Sequence, residues 1–496
     1  MKLDQLITQT NILSISGAIL DLSKVEITDL CYDSRQALSG SLFFALPGAH
    51  ARGASFAQDA TARGAVAVVA QEQISELSVP VILVSDARIA MAELAASFYE
   101  HPSFSLALCG ITGTNGKTTT SYLVRHLCEA NGRACGLIGT VGYVLPGMSM
   151  EAPRTTPEST DLQKMMQTMR DGGFKALAME ASSHAIIQER VRAIEFDVAI
   201  FTNLTQDHLD YHGSMEAYFN AKKLLFENLA KQTKKRGRAI INSDDRYGRI
   251  LLDRLPVGLS RLTFGQSSNA DFRASDIRYS GTGTTFRLDA RGRSYLVRSP
   301  LIGLFNVYNV LGALASATSM GLELRRAIKA LATAPQVPGR LQRVSDQTNF
   351  QIFVDYAHTP DALENVLRSL RQLQPSRLIV VFGCGGDRDR AKRPMMAAAA
   401  EMYADEIIIT SDNPRSENPD AIIREAMRGF QKKNHQGIVD REAAIYKAIE
   451  SAAPNDIVLI AGKGHEAYQE INGVCLPFND VLVAKRAIRE VMQKNN

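Results

Sequence analysis

The chain contains no tryptophan, and only six cysteines are spread over its 496 residues. Cys31, Cys109, Cys128, Cys135, Cys384 and Cys475 form no CxxC pair and no zinc-like spacing. That excludes a disulfide scaffold or a zinc ribbon and reads as free thiols in a reducing compartment. Net charge is nearly absent too: a formal +4 on this length is too little for a dedicated nucleic-acid binder. No apolar run approaches the ~18 residues of a membrane span. The start, MKLDQLITQTNILSI, lacks a basic segment leading into a continuous apolar one. The expectation is a cytoplasmic monomer with no nucleic-acid partner and no membrane insertion.

What is present is globular: 45% hydrophobic and 22% charged residues, on a length that calls for two to four domains. Three blocks emerge. In residues 1–98, AVAVVA (65–70) and VPVILVS (79–85) read as strands, and 87–99 as a helix, giving a small α/β domain. HPSFS (101–105) reads as a linker broken by Pro102. Residues 99–336 repeat a strand-then-helix rhythm through LALCGI, KALAME and FDVAIFTNL, buried strands of a parallel sheet. Within that block TTFRLDARGRSYLVRS switches to period two, an antiparallel hairpin turning at Arg291-Gly292. Residues 337–496 contribute FQIFVD, RLIVVFG, EIIIT and DIVLIAG between helical segments, a second doubly wound sheet. Ligands of such sheets bind at the carboxyl ends of the strands. The loop SDNPRSENP (411–419), which follows EIIIT, therefore falls where a substrate would sit.

GITGTNGKTTT (110–120) carries the most specific chemistry. An apolar strand runs into glycines, and Lys117 and Thr118 open a helix. Backbone N–H groups of such a turn cradle phosphates, the lysine reaches the terminal phosphates and the hydroxyl binds Mg²⁺. The strict spacing GxxxxGK[ST] is not met, because Ile111 stands where its first glycine belongs and Gly113 must make the turn. The ligand implied is ATP; an ordinary Gly-rich turn is the plainer alternative. Glu180 ends a buried strand of the same block, where a second acid helps hold the metal, or is simply a solvated strand end. Ser182, Ser183 and His184 lack the G-x-S-x-G elbow of a nucleophile, which favours substrate hydrogen bonding. Asp207, His208, Asp210 and His212 crowd one loop, rich in metal-ligand types or merely solvated. Lys222 and Lys223, on the next helix, would by themselves be surface lysines. Arg388, Arg390, Lys392 and Arg393 cluster at a strand end and favour an anionic substrate.

In this order the motifs YDSR, GTNGKTTT, TTPE, SSH, DHLDYHG, FNVYN, PGR, DYAHTPD, GGDRD, DNPR and GKGHE resemble the Mur ligases. These are ATP-dependent amide-forming enzymes of peptidoglycan assembly, and the resemblance runs along essentially the whole chain. It implies that the first domain binds the UDP end of a nucleotide sugar through Tyr32, Ser34 and the loop Gly48, Ala49 and His50. It implies ATP on Gly113, Thr114, Asn115, Gly116, Lys117, Thr118 and Thr119. Asn309, Arg340 and Asp355 would hold the adenine, a phosphate and the ribose. Thr118, Glu180, His208 and a carbamylated Lys222 would hold Mg²⁺. Thr155, Thr156, Ser182, Gln188 and Arg190 would contact the muramoyl dipeptide. Arg388, Asp412, Asn413, Pro414, Arg415, Gly462 and Glu466 would bind the incoming amino acid. Within the family the DNPR form goes with meso-diaminopimelate, whose distal carboxylate Arg415 would grip; a surface turn in which Arg415 pairs with Glu417 is the plainer reading. The implied reaction joins that amino acid to the D-glutamyl γ-carboxylate through an acyl phosphate. Two other readings stand beside it. One is a folylpolyglutamate synthase, disfavoured by the hundred residues before the Gly-rich loop; the other is a P-loop switch protein, which needs no third domain with four polar strand ends.

Overall fold

A computed structural model describes residues 1–17, 21–48, 52–75, 77–344 and 348–494. Ala49 and His50 lie outside the described residues. The architecture is α/β in three parts, each built round its own sheet. The first sheet has five strands in the order Ile12–Ser16, Val81–Val84, Ala65–Ala70, Ser41–Ala45 and Asp29–Cys31. Only Ile12–Ser16 runs antiparallel to its neighbour. The helix Ala87–Phe98 packs its alanine-rich face on this sheet and is capped by Asp86, whose carboxylate accepts from Arg88 and Ile89 N–H.

HPSFS departs from its reading as a linker. Pro102–Ser105 form a 3-10 turn in which Pro102 and Ser103 are buried, so the chain crosses between the first two parts in a packed step. The central sheet has eleven strands. At its middle Ala107–Thr112 lies between Val198–Phe201 and Ala176–Glu180, all parallel. Both faces are covered, which is why these strands read as unbroken apolar runs. One edge continues into antiparallel strands, with Gly283–Ala290 pairing Arg293–Ser299 about a two-residue turn at 291–292. Both turn residues have positive φ, as a type I′ hairpin requires.

The third sheet runs Gln342–Arg343, Gln351–Asp355, Ile457–Ala461, Leu378–Cys384, Glu406–Ser411, His435–Gly437, parallel except at its first pair. Consecutive strands Gln351–Asp355 and Leu378–Cys384 are separated by Ile457–Ala461. That break in order opens a crevice above the strand ends. A small hairpin, Tyr468–Ile471 with Val474–Pro477, stands apart from the sheet with Val474 and Leu476 exposed. Among the described residues no helix is long and apolar enough to cross a membrane.

Candidate active site

The register of the central sheet sets the site. Thr112, the last residue of its strand, pairs with Phe201, and Ile111 pairs with Glu180. Three strand ends therefore finish at one level, round the Gly-rich loop. Gly113 has φ +144°, and a Cβ there would meet Thr202 Oγ1 at 1.9 Å, so only glycine makes this turn. Lys117–Ala130 begins directly after Gly116 and points its free N–H groups at the loop.

Two lysines converge on one carbonyl. Lys117 Nζ donates to Gly113 O at 3.0 Å and to Thr114 O at 2.8 Å, and Lys222 Nζ donates to Gly113 O at 2.9 Å. Lys222 is buried, over the Tyr218 ring, while Lys223 turns away to pair with Glu227 at 2.7 Å. Burial, then the Lys117 charge, pushes the Lys222 amine well below the ordinary lysine value. Burial lowers Lys117 as well, against the attraction of Glu180. Two ammonium groups on a single acceptor repel, so the neutral form of Lys222 is favoured.

Glu180 is fully buried, and its carboxylate accepts from Thr140 N at 2.9 Å and Thr140 Oγ1 at 3.0 Å. His208 sits at φ +53°, and its imidazole is held to about 4 by desolvation and by the two lysines, despite Asp207 beside it at 3.5 Å. A neutral ring keeps a lone pair for a metal. Asp207, His208, Asp210 and His212, which share one loop, are set apart by the fold. Among the described residues no group of three or more acids, histidines or cysteines is arranged to hold a metal ion by itself. Asp207 and His208 line the cavity; Asp210 is exposed, and His212 faces Ser183 Oγ at 2.9 Å from the short helix Leu209–His212.

These groups line a cavity of about 530 Å³ between the central and third sheets. Its walls include residues 114–119, Glu180, His208 and Lys222 on one side, Asn309 below, and Arg340 and Asp355 opposite. Asn309 is buried and accepts from Thr120 Oγ1 at 3.3 Å. Arg340 lies over the Tyr356 ring and reaches Thr118 Oγ1 at 3.4 Å. Asp355 accepts from Leu341 N at 2.6 Å and Ala357 N at 2.8 Å, and burial raises its carboxyl. The carboxylate and hydroxyl oxygens that line the cavity, Glu180 and Thr118 among them, fit Mg²⁺, which takes few protein ligands and keeps its waters.

Thr155 and Ser182 reach the same cavity; Thr156, Gln188 and Arg190 do not, but form a contiguous network beside it. Thr156 Oγ1 donates to Glu180 O at 2.7 Å, and Arg190 donates to Thr156 O at 2.8 Å and to Gln188 Oε1 at 2.6 Å. Arg190 also pairs with buried Glu158, which Arg88 and Arg154 share. Tyr32 Oη donates to Asp161 at 2.8 Å, tying the first sheet's domain to the central one. Ser34 is buried and Gly48 exposed, both outside the cavity.

At the third sheet, Asp412 and Asn413 are buried, and a Cβ on Gly462 would meet Asp412 Oδ2 at 2.5 Å. Asn413 Nδ2 donates to Glu466 at 2.9 Å, and the fully buried Lys463 donates to both Asn413 Oδ1 and Glu466. Tyr356, a wall of the cavity, reaches Glu466 at 3.5 Å and so links the two clusters. Arg388 is exposed at the neighbouring loop, and Pro414 precedes Arg415. Arg415 does not pair with Glu417. Its Nε donates to Glu470 at 3.0 Å and its Nη1 to Gly386 O at 2.7 Å. Glu417 instead serves Arg393 and Arg390, each at 2.7 Å, and the N–H of Asp387.

Sequence reasoning missed Thr140, Glu158, Lys463 and Glu470. Lys463 stood within GKGHE, but nothing marked it as a buried cation.

The Arg393 hydrogen bonds hold the Glu417 carboxyl at about 2, below its ordinary range. A depressed carboxyl stabilises the fold above the unfolded value, and loses that contribution as pH falls toward the folded one. Glu417→Gln should therefore cost on the order of 2 kcal/mol at pH 7. Thermal melts of variant and wild type should converge between about pH 4.5 and pH 2.

Comparison with known proteins agrees with this geometry. Three family models match in succession: "Mur ligase family, catalytic domain" over 26–99, "Mur ligase middle domain" over 111–317, and "Mur ligase, glutamate ligase domain" over 339–464. The chain is 48% identical over 469 residues to the UDP-N-acetylmuramoyl-L-alanyl-D-glutamate–2,6-diaminopimelate ligase of Geobacillus kaustophilus, covering 94% of this chain and 95% of that one. It is 45% identical to the ligase of the same name from Solibacter usitatus, with 95% of each covered. A solved structure of a ligase of that name superimposes with a TM-score of 0.73 at 34% identity, over 99% of both chains.

Proposed function

Because this chain belongs to the Mur ligase family, we propose that it joins meso-2,6-diaminopimelate to UDP-N-acetylmuramoyl-L-alanyl-D-glutamate at the expense of ATP. The observation that carries this reading is the near-full-length identity of 48% to a ligase of that specificity. The cavity supports it by setting a phosphate-binding loop of one sheet against the strand ends of another. Residues 1–98 would hold the uridine end, 99–336 ATP and the dipeptide, and 337–496 the amino acid. The work belongs to the cytoplasm, where ATP and the nucleotide sugar are found.

A free carboxylate does not acylate an amine, because oxide is no leaving group. In the first step an oxygen of the D-glutamyl γ-carboxylate attacks the ATP γ-phosphorus and ADP departs. In the second the diaminopimelate amine attacks the acyl carbon, inorganic phosphate leaves with the bonding pair, and the proton lost from the nitrogen passes to that phosphate. Lys117 and the loop N–H groups neutralise charge on the transferred phosphoryl oxygens. Asn309 would contact the adenine and Asp355 the ribose, while Arg340 would hold a phosphate. Thr155, Thr156, Ser182, Gln188 and Arg190 would orient the dipeptide carboxylate. Mg²⁺, held by Thr118, Glu180, His208 and the carbamate of Lys222, would supply charge neutralisation at the phosphates.

Arg415 would read the distal carboxylate, the group lysine lacks, through the end of its guanidinium that Glu470 and Gly386 leave open. Lysine leaves that end of Arg415 without a carboxylate partner and should lose about 2 kcal/mol, roughly thirtyfold in catalytic efficiency. Phosphate release with either amino acid, for wild type and Arg415→Ala, checks this. Equal use of lysine by the wild type, or full selectivity in the variant, would remove Arg415 from the reading.

A further inference from the structure

Arg415 stands at φ +52°, a left-handed conformation uncommon for a side chain of its size. What holds it there is the hairpin Tyr468–Ile471 and Val474–Pro477, outside the third sheet. Arg415 N donates to Glu470 O at 3.0 Å, and Asn472 N donates to Arg415 O at 2.8 Å. Neighbouring links complete the strap: Gln469 Nε2 to Asp412 O at 2.7 Å and Glu470 N to Asn413 Oδ1 at 3.0 Å. The hairpin exposes Tyr468, Val474 and Leu476, so it is not built to shelter a core of its own. Among the described residues its hydrogen bonds to the rest of the fold go to Asp412, Asn413 and Arg415.

Glu470 also supplies a side-chain contact. Its carboxylate accepts from Arg415 Nε at 3.0 Å, while Gly386 O accepts from Nη1 at 2.7 Å. Among the described residues Nη2 has no hydrogen-bond partner. A guanidinium held by Nε on one edge and by one Nη1 hydrogen on the other presents its remaining Nη hydrogens end-on. That end is the fork which takes a carboxylate through two parallel bonds.

We infer that Glu470 is a positioning and specificity-determining residue: through Arg415 Nε it fixes the guanidinium so that its Nη end is aimed at the distal carboxylate of the amino-acid substrate. The inference rests on the reading of Arg415 given above. Glu470 touches no reacting atom, so its loss should weaken binding of the dicarboxylic amino acid and leave the chemical step alone. An arginine with a free Nε samples several rotamers, and binding must then order it again.

The test compares steady-state kinetics with meso-diaminopimelate and with L-lysine for wild type and three variants. Glu470→Ala should raise KM for diaminopimelate about tenfold with kcat nearly unchanged and lysine use unaltered, so selectivity falls about tenfold. Glu470→Asp keeps the charge but draws it back by one methylene, and should move the same way by a smaller factor. Glu470→Gln keeps an acceptor at Nε and should stay within about threefold of wild type. Unchanged selectivity in both the Ala and Asp variants overturns the inference. So does a parallel loss with both amino acids, the mark of a merely structural hairpin. A wild type that does not prefer diaminopimelate overturns the substrate reading of Arg415 itself, and this role with it.

Discussion

Lys117→Ala should cut amide formation by at least about a thousandfold while leaving affinity for the nucleotide sugar within a few-fold of wild type. The two halves of that result come from different parts of the molecule. Lys117 opens the helix at the Gly-rich loop, with its amine folded back on Gly113 O and Thr114 O. Those carbonyls hold the ammonium where the terminal phosphates would lie, and in a buried setting its charge counts for more than in water. The uridine end is assigned instead to the first sheet's domain, round Tyr32 and Ser34. Titration of the nucleotide sugar without ATP, by calorimetry, checks the binding half, and phosphate release checks the other. Near-normal ligation would remove the loop from the reaction. A large loss of nucleotide-sugar affinity would mean that the two sites are not separate.

The Gly-rich loop was legible in the sequence because its chemistry is local. Strand, turn and helix follow within a dozen residues, and their glycines have no other use. Strands were legible for a related reason: parallel strands covered on both faces must be apolar throughout, so Ala176–Glu180 and Ile457–Ala461 announce themselves. The hairpin at 468–477 did not, because its exposed strands carry no apolar alternation. Its role is set by contacts with a loop some 55 positions earlier, such as Glu470 with Arg415. The same distance in sequence hid Thr140 beside Glu180 and hid Glu470 as the partner of Arg415, for which the chain nearby offered only Glu417. Glu417 was two positions away in the chain, but it is taken by Arg393 from the helix Lys392–Tyr403. Arg441 and Asp480 make the same point. They form a fully buried pair 39 positions apart, and Arg441 also donates to the carbonyls of Ser411 and Ala461 at two strand ends. Nothing in either segment alone marks them as partners.

Lys222→Ala should lower ligation about a hundredfold or more, and a small carboxylate such as acetate should restore part of it. A carbamate forms when a neutral amine attacks carbon dioxide and loses a proton, which turns a cation into a pair of anionic oxygens. An ordinary lysine at pH 7 is neutral in only roughly one molecule in 2,500, so the reaction needs a shifted amine. Lys222 supplies it: the side chain is buried, Lys117 approaches the same Gly113 carbonyl, and both effects favour the neutral form. The sign of the pH dependence follows. With the folded value below the unfolded one, the unfolded chain binds more protons between the two, so the burden on stability eases as pH rises through that window. Carbamate occupancy should rise in the same direction. Lys223 is the internal control. It is one residue on, about 100° round the helix, and pairs with Glu227 at the surface. Lys223→Ala should stay within about threefold of wild type. Activity of both variants with and without acetate, alongside carbon-labelled bicarbonate NMR of the wild type, decides the matter. An inactive Lys223→Ala with an active Lys222→Ala would reverse the assignment. A Lys222→Ala loss that no carboxylate repairs, with no labelled carbamate in the wild type, would leave Lys222 as an amine that merely braces the Gly113 turn.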